Sequence, residues 1–574
     1  MAPALKRYNW ILALTTIAFV VSSASNGAND VANSYATSVA ARTLQMWQAG
    51  ILASGTEFLG AVALGSRVTG TIKSGIFDLN RFKPAPATLM LAMGCAELGS
   101  ATFLTFATIA GFPVSTTQTV VGALIGSGLA AQASIKWDWD KGSVSQIAAS
   151  WVIAPFISAG FAAILFGTVK YGVLQRKDPL KWGLRLIPFY LAFTGGVLAL
   201  FIIDELPEGE SLEEMGPGKA CGIILGVFFG VLLISYAFFL PYFHRRLVQG
   251  DARVRAWHIP LGPLLWRENP PLYFPAKGDL IVTDYYAKAL SNSSSEEELE
   301  EKSRGHSTAV DTKSSGGSGD DIERGEVGAD VHQRRIPPGA TLHIIPPKPE
   351  PEERWLKPVA HLPIYHPKKI GNWVKFLLLQ GVSRDVVTQK NMLDIHARAV
   401  VYDNKVEHLW TYAQVASAMM MSIAHGSNDV ANAVGPWVAT YNTYETGLVT
   451  KEADTPIWIL VIAGLLLGTG FWFYGYHIVR ALGNKITQVS PTRGFSMELG
   501  AAICVLLASR LGLPVSTTQC LTGATIGVAL MNFDLKAVNW KQVAFIFSGW
   551  VITLPGAGLI SGLLMLMALN TPHF

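Results

Sequence analysis

Long apolar stretches occupy both ends of this chain, and a more polar stretch separates them. Eight stretches reach or approach the roughly 20 residues that cross a bilayer as a helix. They are 10–28, 89–112, 147–169, 188–203, 222–240, 409–424, 457–478 and 543–569. Shorter or glycine-interrupted stretches lie between them, near 50–65 and 120–131. The pattern predicts an all-α polytopic membrane protein with about twelve transmembrane helices, some of them incomplete.

Composition agrees with this prediction. Of 574 residues, 15% are charged and 50% are hydrophobic, whereas soluble domains carry roughly 25% charged residues. The net charge of +4 is too small to favour a nucleic-acid partner. The four cysteines lack the spacing of a metal site or a disulfide framework. We therefore expect a lipid bilayer as the surroundings, no cofactor, and no bound nucleic acid.

Two polar motifs occur twice and in the same order. Gly27–Asn33 returns as Gly426–Asn432 with one substitution, and 97–126 aligns without gaps to 498–527 with 16 of 30 positions identical. The second match contains Pro-Val-Ser-Thr-Thr-Gln in both copies. Apolar segments match by chance at Leu and Val, not at Asn-Asp or Ser-Thr-Thr-Gln. The chain therefore consists of two related halves.

Flanking charges set the expected orientation. Basic residues follow one span, acidic residues follow the next, and basic residues begin the central stretch; they are Lys170, Arg176, Lys177, Lys181 and Arg185, then Asp204, Glu205, Glu208, Glu210, Glu213 and Glu214, then His244, Arg245, Arg246, Arg253 and Arg255. This alternation predicts a cytoplasmic central loop. We favour two inverted-topology repeats, with broken or re-entrant segments near the membrane midplane.

The expected division is an N-terminal membrane repeat with linking helices at 1–242, a cytoplasmic loop at 243–372, and a C-terminal membrane repeat at 373–574. Within the loop, 291–335 is rich in Ser, Gly, Glu and Asp and has no aromatic residue. That composition is typical of disorder. The loop is either a linker or a regulatory segment that kinases phosphorylate.

The first motif places a carboxylate among amides inside an apolar helix. Asp30 and Asp429 are costly there, by about 2.5–3.5 kcal/mol each at the membrane centre. Each has Asn at −1 and +3, and the +3 residue shares its helix face; these are Asn29, Asn33, Asn428 and Asn432. A helix broken at the nearby glycine adds backbone carbonyls. Such oxygen cages suit a hard monovalent cation such as Na⁺; the alternative is polar contact between helices.

The second motif is typical of a helix that begins within the membrane, because Ser and Thr are N-caps and Pro is accepted in a first turn. Helix N-termini attract anions. Two of them would surround a small oxyanion with hydroxyl and amide donors; these are Ser115, Thr116, Thr117, Gln118, Ser516, Thr517, Thr518 and Gln519. No Lys or Arg lies in either motif, so we expect bound cations to balance the anion. Interhelical packing through hydroxyls is the alternative.

Three further carboxylates lie in apolar stretches. Glu97 and Glu498 occupy equivalent repeat positions, whereas Glu57 has no partner in the other half. Glu57 and Glu498 are candidates for a further cation or for a coupling role, with pairing to a basic residue as the alternative. His425, next to the second Asn-Asp motif, is expected to form local hydrogen bonds.

Through Gly27–Asn33, Gly426–Asn432 and the two Pro-Val-Ser-Thr-Thr-Gln blocks, the chain resembles the inorganic phosphate transporter (PiT) family, in particular its fungal sodium-dependent permeases. The resemblance implies Na⁺/phosphate symport, inverted repeats and nearly twelve helices. It also implies cation ligation around the two aspartates and phosphate contacts from the Ser-Thr-Thr blocks, with Glu57 and Glu498 similar to important acidic positions in animal relatives. Many members have His where this chain has Gln118 and Gln519, which weighs against proton coupling.

The sequence thus predicts a secondary active symporter of phosphate, driven by a sodium gradient in the plasma membrane, and not an enzyme. It has no P-loop and shows no spacing of a His/Asp metal cluster. Proton coupling and a phosphate-sensing role remain alternatives, and the sequence leaves a homodimer open.

Overall fold

The computed structural model describes residues 4–65, 75–140, 142–205, 215–286, 288–289, 344–345, 348–387, 398–450, 455–511 and 513–571. The predicted disordered segment 291–335 lies outside these residues. The described residues of the first half form nine α-helices, numbered in chain order as α1 Asn9–Asn26, α2 Ala32–Ala40, α3 Met46–Leu64, α4 Pro86–Ile109, α5 Thr116–Ala130, α6 Val144–Val169, α7 Pro179–Glu205, α8 Pro217–Ile234 and α9 Leu240–Phe243. A π-helical turn, Gly27–Val31, joins α1 to α2.

The central part and the second half continue the numbering with α10 Pro367–Ser383, α11 Asn404–Leu409, α12 Thr411–Thr446, α13 Ile457–Tyr474, α14 Tyr476–Leu482, α15 Pro491–Arg510, α16 Thr517–Leu530 and α17 Trp540–Asn570. Two strands of two residues each, β1 Lys288–Ala289 and β2 Ile344–Ile345, pair in parallel. Short 3₁₀ and π-helical turns complete the described residues, for example Ala256–Trp266 in the central loop.

Eight helices among the described residues are long and apolar enough to cross a membrane: 6–40, 86–109, 144–174, 179–203, 217–248, 457–474, 491–510 and 540–570. The chain is therefore a multi-pass membrane protein. The predicted apolar stretch 409–424 is the start of α12, which runs for 36 residues and carries the polar motif. The weak segments near 50–65 and 120–131 are helical as well, in α3 and α5.

Each Ser-Thr-Thr motif begins a helix, as predicted. Ser115 caps α5 by accepting a hydrogen bond from the Gln118 N–H at 3.2 Å, and Ser516 caps α16 by accepting one from the Gln519 N–H at 3.3 Å. Each helix forms a hairpin with the helix before it, so that the two caps lie at the hairpin tips.

Glycines let the hairpin helices approach helices of the opposite half. Gly122 and Gly126 of α5 face Gly558 and Gly562 of α17, and a Cβ on Gly126 would collide with the backbone of Gly558. Gly523 and Gly527 of α16 face the backbone of α6 in the same way. Small residues four apart permit such close contact between membrane helices. The two halves are therefore interlocked rather than merely adjacent.

The ends of the repeated helices lie in opposite order. The Ala4 N–H, just before α1, donates to the carbonyl of Glu445 at the end of α12 at 3.1 Å. The Thr43 hydroxyl, just after α2, donates to the Gln414 side chain in the first turn of α12 at 2.8 Å. The start of one motif helix thus lies beside the end of its counterpart, so the two run antiparallel.

A segment of the central loop is docked on the second half. The Tyr285 hydroxyl lies 2.6 Å from His408 Nδ1, and the Tyr286 hydroxyl donates to Glu407 at 2.6 Å. The other carboxylate oxygen of Glu407 accepts the Thr492 N–H at 2.9 Å, at the start of α15. The buried Glu407 therefore ties this part of the loop to the first turn of a hairpin helix.

Replacing Gly126 by Leu should destabilise the fold, because the side chain would press on the α17 backbone. Overpacking of this kind costs about 1–3 kcal/mol. Thermal unfolding of the purified protein in detergent measures the change. Gly160→Ala in α6, where a Cβ meets nothing within 4 Å, is the matched control. Equal melting temperatures for both variants would contradict the interlocked packing.

Candidate functional site

Asp30 lies between the two hairpin tips and is bonded to both. One carboxylate oxygen accepts the hydroxyl of Thr116 at 2.7 Å and the N–H of the same residue at 3.2 Å. The other oxygen accepts the hydroxyl of Thr518, from the tip of the second half, at 2.9 Å. Asn33, one turn later, donates to this oxygen at 3.4 Å and to Thr518 at 2.6 Å. Asp30 therefore complements the N-terminus of α5 while reaching across to α16.

Asp429 repeats this arrangement with the halves exchanged. It accepts the hydroxyl of Thr517 from its own half at 3.1 Å and that of Thr117 from the other half at 3.4 Å. Asn432 donates to Asp429 at 3.2 Å and to Thr117 at 3.2 Å. Each aspartate thus contacts one threonine from each tip. The pattern has the two-fold relation that the duplicated sequence suggested.

The two aspartates are close together. One carboxylate oxygen from each of Asp30 and Asp429 and a ring nitrogen of His425 all lie within 4.8 Å of one another, and all three residues are buried. Two charges about 5 Å apart repel by roughly 3 kcal/mol at an effective dielectric constant of 20. The sequence has no spacing typical of a His/Asp metal cluster, but the fold brings these three residues together from distant parts of the chain, close enough to hold one ion.

Six buried amide oxygens around the tips have no hydrogen-bond donor among the described residues; they belong to Asn26, Asn33, Asn428, Asn432, Gln118 and Gln519. An unpaired buried acceptor costs about 1–3 kcal/mol. The amide nitrogens of Asn33 and Asn432 are fully used in bonds to Thr and Asp. The amide oxygens of Asn33 and Asn432 therefore accept no hydrogen bond among the described residues and are available, with the two carboxylates, as cation ligands.

His425 connects the site to Glu57. Its Nδ1 lies 2.7 Å from a carboxylate oxygen of Glu57, and its Nε2 lies 3.1 Å from Asp429. The Ser422 hydroxyl donates to the second oxygen of Glu57. The hydrogen bond of His425 to Asp429 is local, as predicted, whereas Glu57 in α3 is distant in the chain. Glu57 has no counterpart in the second half, and His425 aligns with Asn26 of the first half. The Glu57–His425 contact is therefore an asymmetric feature of the two repeats.

Glu498 is held by four donors from both halves. Thr37 and Ser38 of α2 donate to one oxygen at 2.6 and 2.7 Å, and Ser417 of α12 donates to the other at 2.7 Å. Gln414 of α12 adds a longer bond at 3.4 Å. The carboxylate therefore joins α2 to the start of α12 and the start of α15. Most of its acceptor capacity is used within the protein.

Glu97, at the equivalent repeat position, has a different environment. It is buried, but neither oxygen meets a hydrogen-bond donor within bonding geometry among the described residues. Ser22 of α1 lies beside it. Residues 436 and 437, which correspond to Thr37 and Ser38, are Pro and Trp and supply no hydroxyl. Repeat symmetry in the sequence thus does not extend to the carboxylate's surroundings.

Two of the predicted cation ligands bind elsewhere. Asn29 donates to Thr108 at 3.0 Å and accepts the Val114 N–H at 3.2 Å, so it fixes the first hairpin tip. Asn428 donates to Ser509 at 3.1 Å in the second hairpin. The −1 position points away from the +3 position on a helix. These asparagines therefore orient the tips instead of facing the carboxylates.

The predicted helix break at the motif is wrong in the second half, where α12 runs unbroken from Thr411 to Thr446. In the first half, the helix widens into the π-helical turn Gly27–Val31 without interruption. Such turns are frequent at functional sites. The oxygen set around the aspartates consequently comes mainly from side chains. The helices are interrupted instead at the hairpin tips, where Ser115 and Ser516 cap new helices.

The Phosphate transporter family matches residues 26–561 of this chain, which include every polar motif described above. The chain belongs to this family. It is 39% identical to the phosphate-repressible phosphate permease pho-4 of Neurospora crassa, and the alignment covers 99% of each chain. It is 29% identical to sodium-dependent phosphate transporter 2 of Bos taurus, with 94% of each chain covered. Its relatives are transporters and not enzymes.

A solved structure named "The sodium-dependent phosphate transporter" has the same fold. The TM-score is 0.62 at 22% sequence identity, and the match covers 98% of this chain and 100% of that one. This chain therefore shares the overall helical architecture of that transporter.

Glu498→Gln should destabilise the protein, because an amide nitrogen cannot accept the bonds that Thr37, Ser38 or Ser417 donate. Hydrogen bonds to a charged group contribute about 1.5–3 kcal/mol, and we expect a loss of that size in thermal unfolding. Glu97→Gln is the matched control, since its oxygens have no such donors. A larger effect at Glu97 than at Glu498 would contradict this assignment.

Proposed function

We propose that this transporter is a secondary active symporter of inorganic phosphate driven by a sodium gradient, with alternating access around the buried tips. Sodium ions would bind at Asp30 with Asn33 and at Asp429 with Asn432. Phosphate would bind between the Ser-Thr-Thr-Gln blocks. Sodium-dependent phosphate transporters of Danio rerio and Bos taurus, similar over more than nine tenths of this chain, support the coupling ion.

The observation that carries the proposal is the surplus of buried acceptors. Two carboxylates lie together, and the residues bonded to them through amide nitrogens, Asn33 and Asn432, have amide oxygens that lack donors among the described residues. A bound monovalent cation would satisfy these oxygens and reduce the repulsion between Asp30 and Asp429. Hard cations prefer carboxylate and carbonyl oxygens. Sodium therefore suits this set of carboxylate and amide oxygens.

The same contacts support an order of binding. The Thr116 N–H, at the N-terminus of α5, is bonded to Asp30, so the carboxylate takes the position that an anion would occupy. A cation bound to Asp30 would compete for that carboxylate and release the helix end. The hydroxyls of Thr116, Thr117, Thr517 and Thr518 would then be available to phosphate. Sodium binding thus precedes phosphate binding.

The antiparallel motif helices support two inverted-topology repeats, as expected for a secondary transporter. With the central loop in the cytoplasm, α12 begins on the cytoplasmic side and α1 on the outer side. The flanking basic and acidic residues favour this orientation, and we place the protein in the plasma membrane. The Glu498 bonds then join the halves on the cytoplasmic side of the aspartates, and Glu97 lies on the outer side.

Proton coupling is the second candidate, favoured by the buried chain from Glu57 through His425 to Asp429. Uptake of labelled phosphate into proteoliposomes under Na⁺, H⁺ or K⁺ gradients separates the two. We expect uptake above background only with an inward Na⁺ gradient at constant pH. Equal uptake with a proton gradient in Na⁺-free buffer would overturn sodium coupling, and no uptake under any gradient would overturn symport.

Asp30→Asn and Asp429→Asn should each weaken the sodium dependence of uptake without unfolding the protein, because an amide keeps the shape but not the charge of the ligand. Loss of a charged interaction of 1.5–3 kcal/mol corresponds to a roughly 10- to 100-fold weaker apparent sodium affinity. Uptake across a sodium titration measures it. Asp140→Asn, in an exposed connection, is the control. Normal sodium dependence in either motif variant would refute the cage.

A further inference from the structure

Helix α10 differs from the membrane-spanning helices. It has 17 residues and three lysines, and most of its side chains are exposed on both sides. A helix of this length with Lys in it is too short and too polar for a stable span. It follows the central loop directly and begins with Pro367 in the first turn.

One face of α10 carries a continuous apolar stripe with the spacing i, i+3, i+4, i+7, i+8, formed by Ile370, Trp373, Val374, Leu377 and Leu378. These five side chains are 45–55% exposed. Exposure of so many large apolar side chains on one helix face is not stable against water. The apolar stripe therefore requires a covering surface.

The opposite face of α10 is already occupied by the central loop. The Asn372 side chain donates to the carbonyl of Trp355 at 3.1 Å, and Lys369 donates to the carbonyl of Leu362 at 2.7 Å. Both contacts are hydrogen bonds to loop backbone carbonyls. The helix thus lies between the central loop on one side and the uncovered stripe on the other.

The end of α10 is fixed against two helices of the membrane domain. Gly381 packs against the backbone carbonyls of Trp472 and Phe473 at the end of α13, and the indole of Trp472 donates to the carbonyl of Leu378 at 2.7 Å. Val382 contacts the region of Gly50, near the start of α3. Both contacts are at helix ends. The stripe therefore lies at the level where the spanning helices leave the hydrocarbon.

Two exposed lysines lie on the polar side of α10. Lys368 and Lys375 are close to Asn372 on the helical projection and face away from the stripe. Lysine side chains at this depth extend toward headgroups, and each basic residue near an anionic surface contributes about 1 kcal/mol. An apolar face that contains Trp, combined with lysines on the polar face, is typical of helices that lie in the membrane interface.

We propose that α10 is an interfacial helix whose apolar stripe is inserted into the cytoplasmic leaflet, and whose Lys368 and Lys375 bind anionic phospholipid headgroups. The inference rests on the cytoplasmic placement of the central loop. It assigns a lipid-binding site outside the transport pathway. Because α10 packs on α13 and α3, and α3 carries Glu57, the lipid surface is in contact with elements that form the transport site.

The test uses the full chain in proteoliposomes with Cys221→Ser, which removes the exposed thiol. Val374→Cys carries a polarity-sensitive fluorophore on the stripe, and Glu353→Cys carries it on the loop side as the matched control. We expect lipids with a doxyl quencher in the acyl chain to quench the label at 374, and aqueous iodide to quench the label at 353. Quenching at 374 by iodide alone would overturn insertion.

The lysines are tested with spin-labelled lipids. Replacing Lys368 and Lys375 by Gln should lower the preference for phosphatidylserine over phosphatidylcholine by about fivefold for each lysine. Lys357→Gln is the control, because Lys357 is paired with Glu353 at 2.8 Å. An unchanged preference would overturn headgroup binding. Disulfide-linked copies of Val374→Cys would show instead that a second copy covers the stripe. None of these readouts depends on phosphate uptake.

Discussion

The burial of two like charges within 4.8 Å of each other is the constraint on which the rest of this structure depends. Neither Asp30 nor Asp429 has a Lys or Arg partner at the tips. Their charge is met by four threonine hydroxyls, two asparagine amides, one histidine and the end of a helix. Dipoles of this kind stabilise a carboxylate but leave the repulsion between the pair in place. This residual repulsion is the basis for proposing a cation at the site.

This constraint explains why the halves are interlocked. A carboxylate that takes one threonine from each hairpin requires both tips to meet at one point, and a displacement of 1 Å would break several bonds together. The glycine contacts of α5 with α17 and of α16 with α6 hold the hairpins at that point. Glu498 adds a second tie between the halves, on one side of the tips only. Glu97 makes no such bonds among the described residues, so the halves are tied together more strongly on the Glu498 side of the site.

Much of this arrangement could be predicted from the sequence, because the relevant signals are local. The capping role of Ser115 and Ser516 follows from the motif itself, and the pairing of Asp30 with Asn33 follows from helical spacing. The likeness of the halves follows from repetition. His425 was not recognised as a bridge, because Glu57 is 368 residues away and no periodicity connects them. The partners of Glu498 come from α2 and α12, far from it in the chain, and no sequence signal identifies them either.

The errors share one physical cause. A break in each motif helix was expected because the glycine three residues before the aspartate permits one, and a break would add backbone carbonyls to the carboxylate and amides. The structure meets that cost with tertiary contacts, through threonines at the tips of hairpins that the second motif forms. Asn29 and Asn428 then serve those tips instead of the aspartates. Two motifs that look independent in the sequence thus form a single structural unit: the first supplies the carboxylates, and the second supplies the helix ends and hydroxyls that stabilise them.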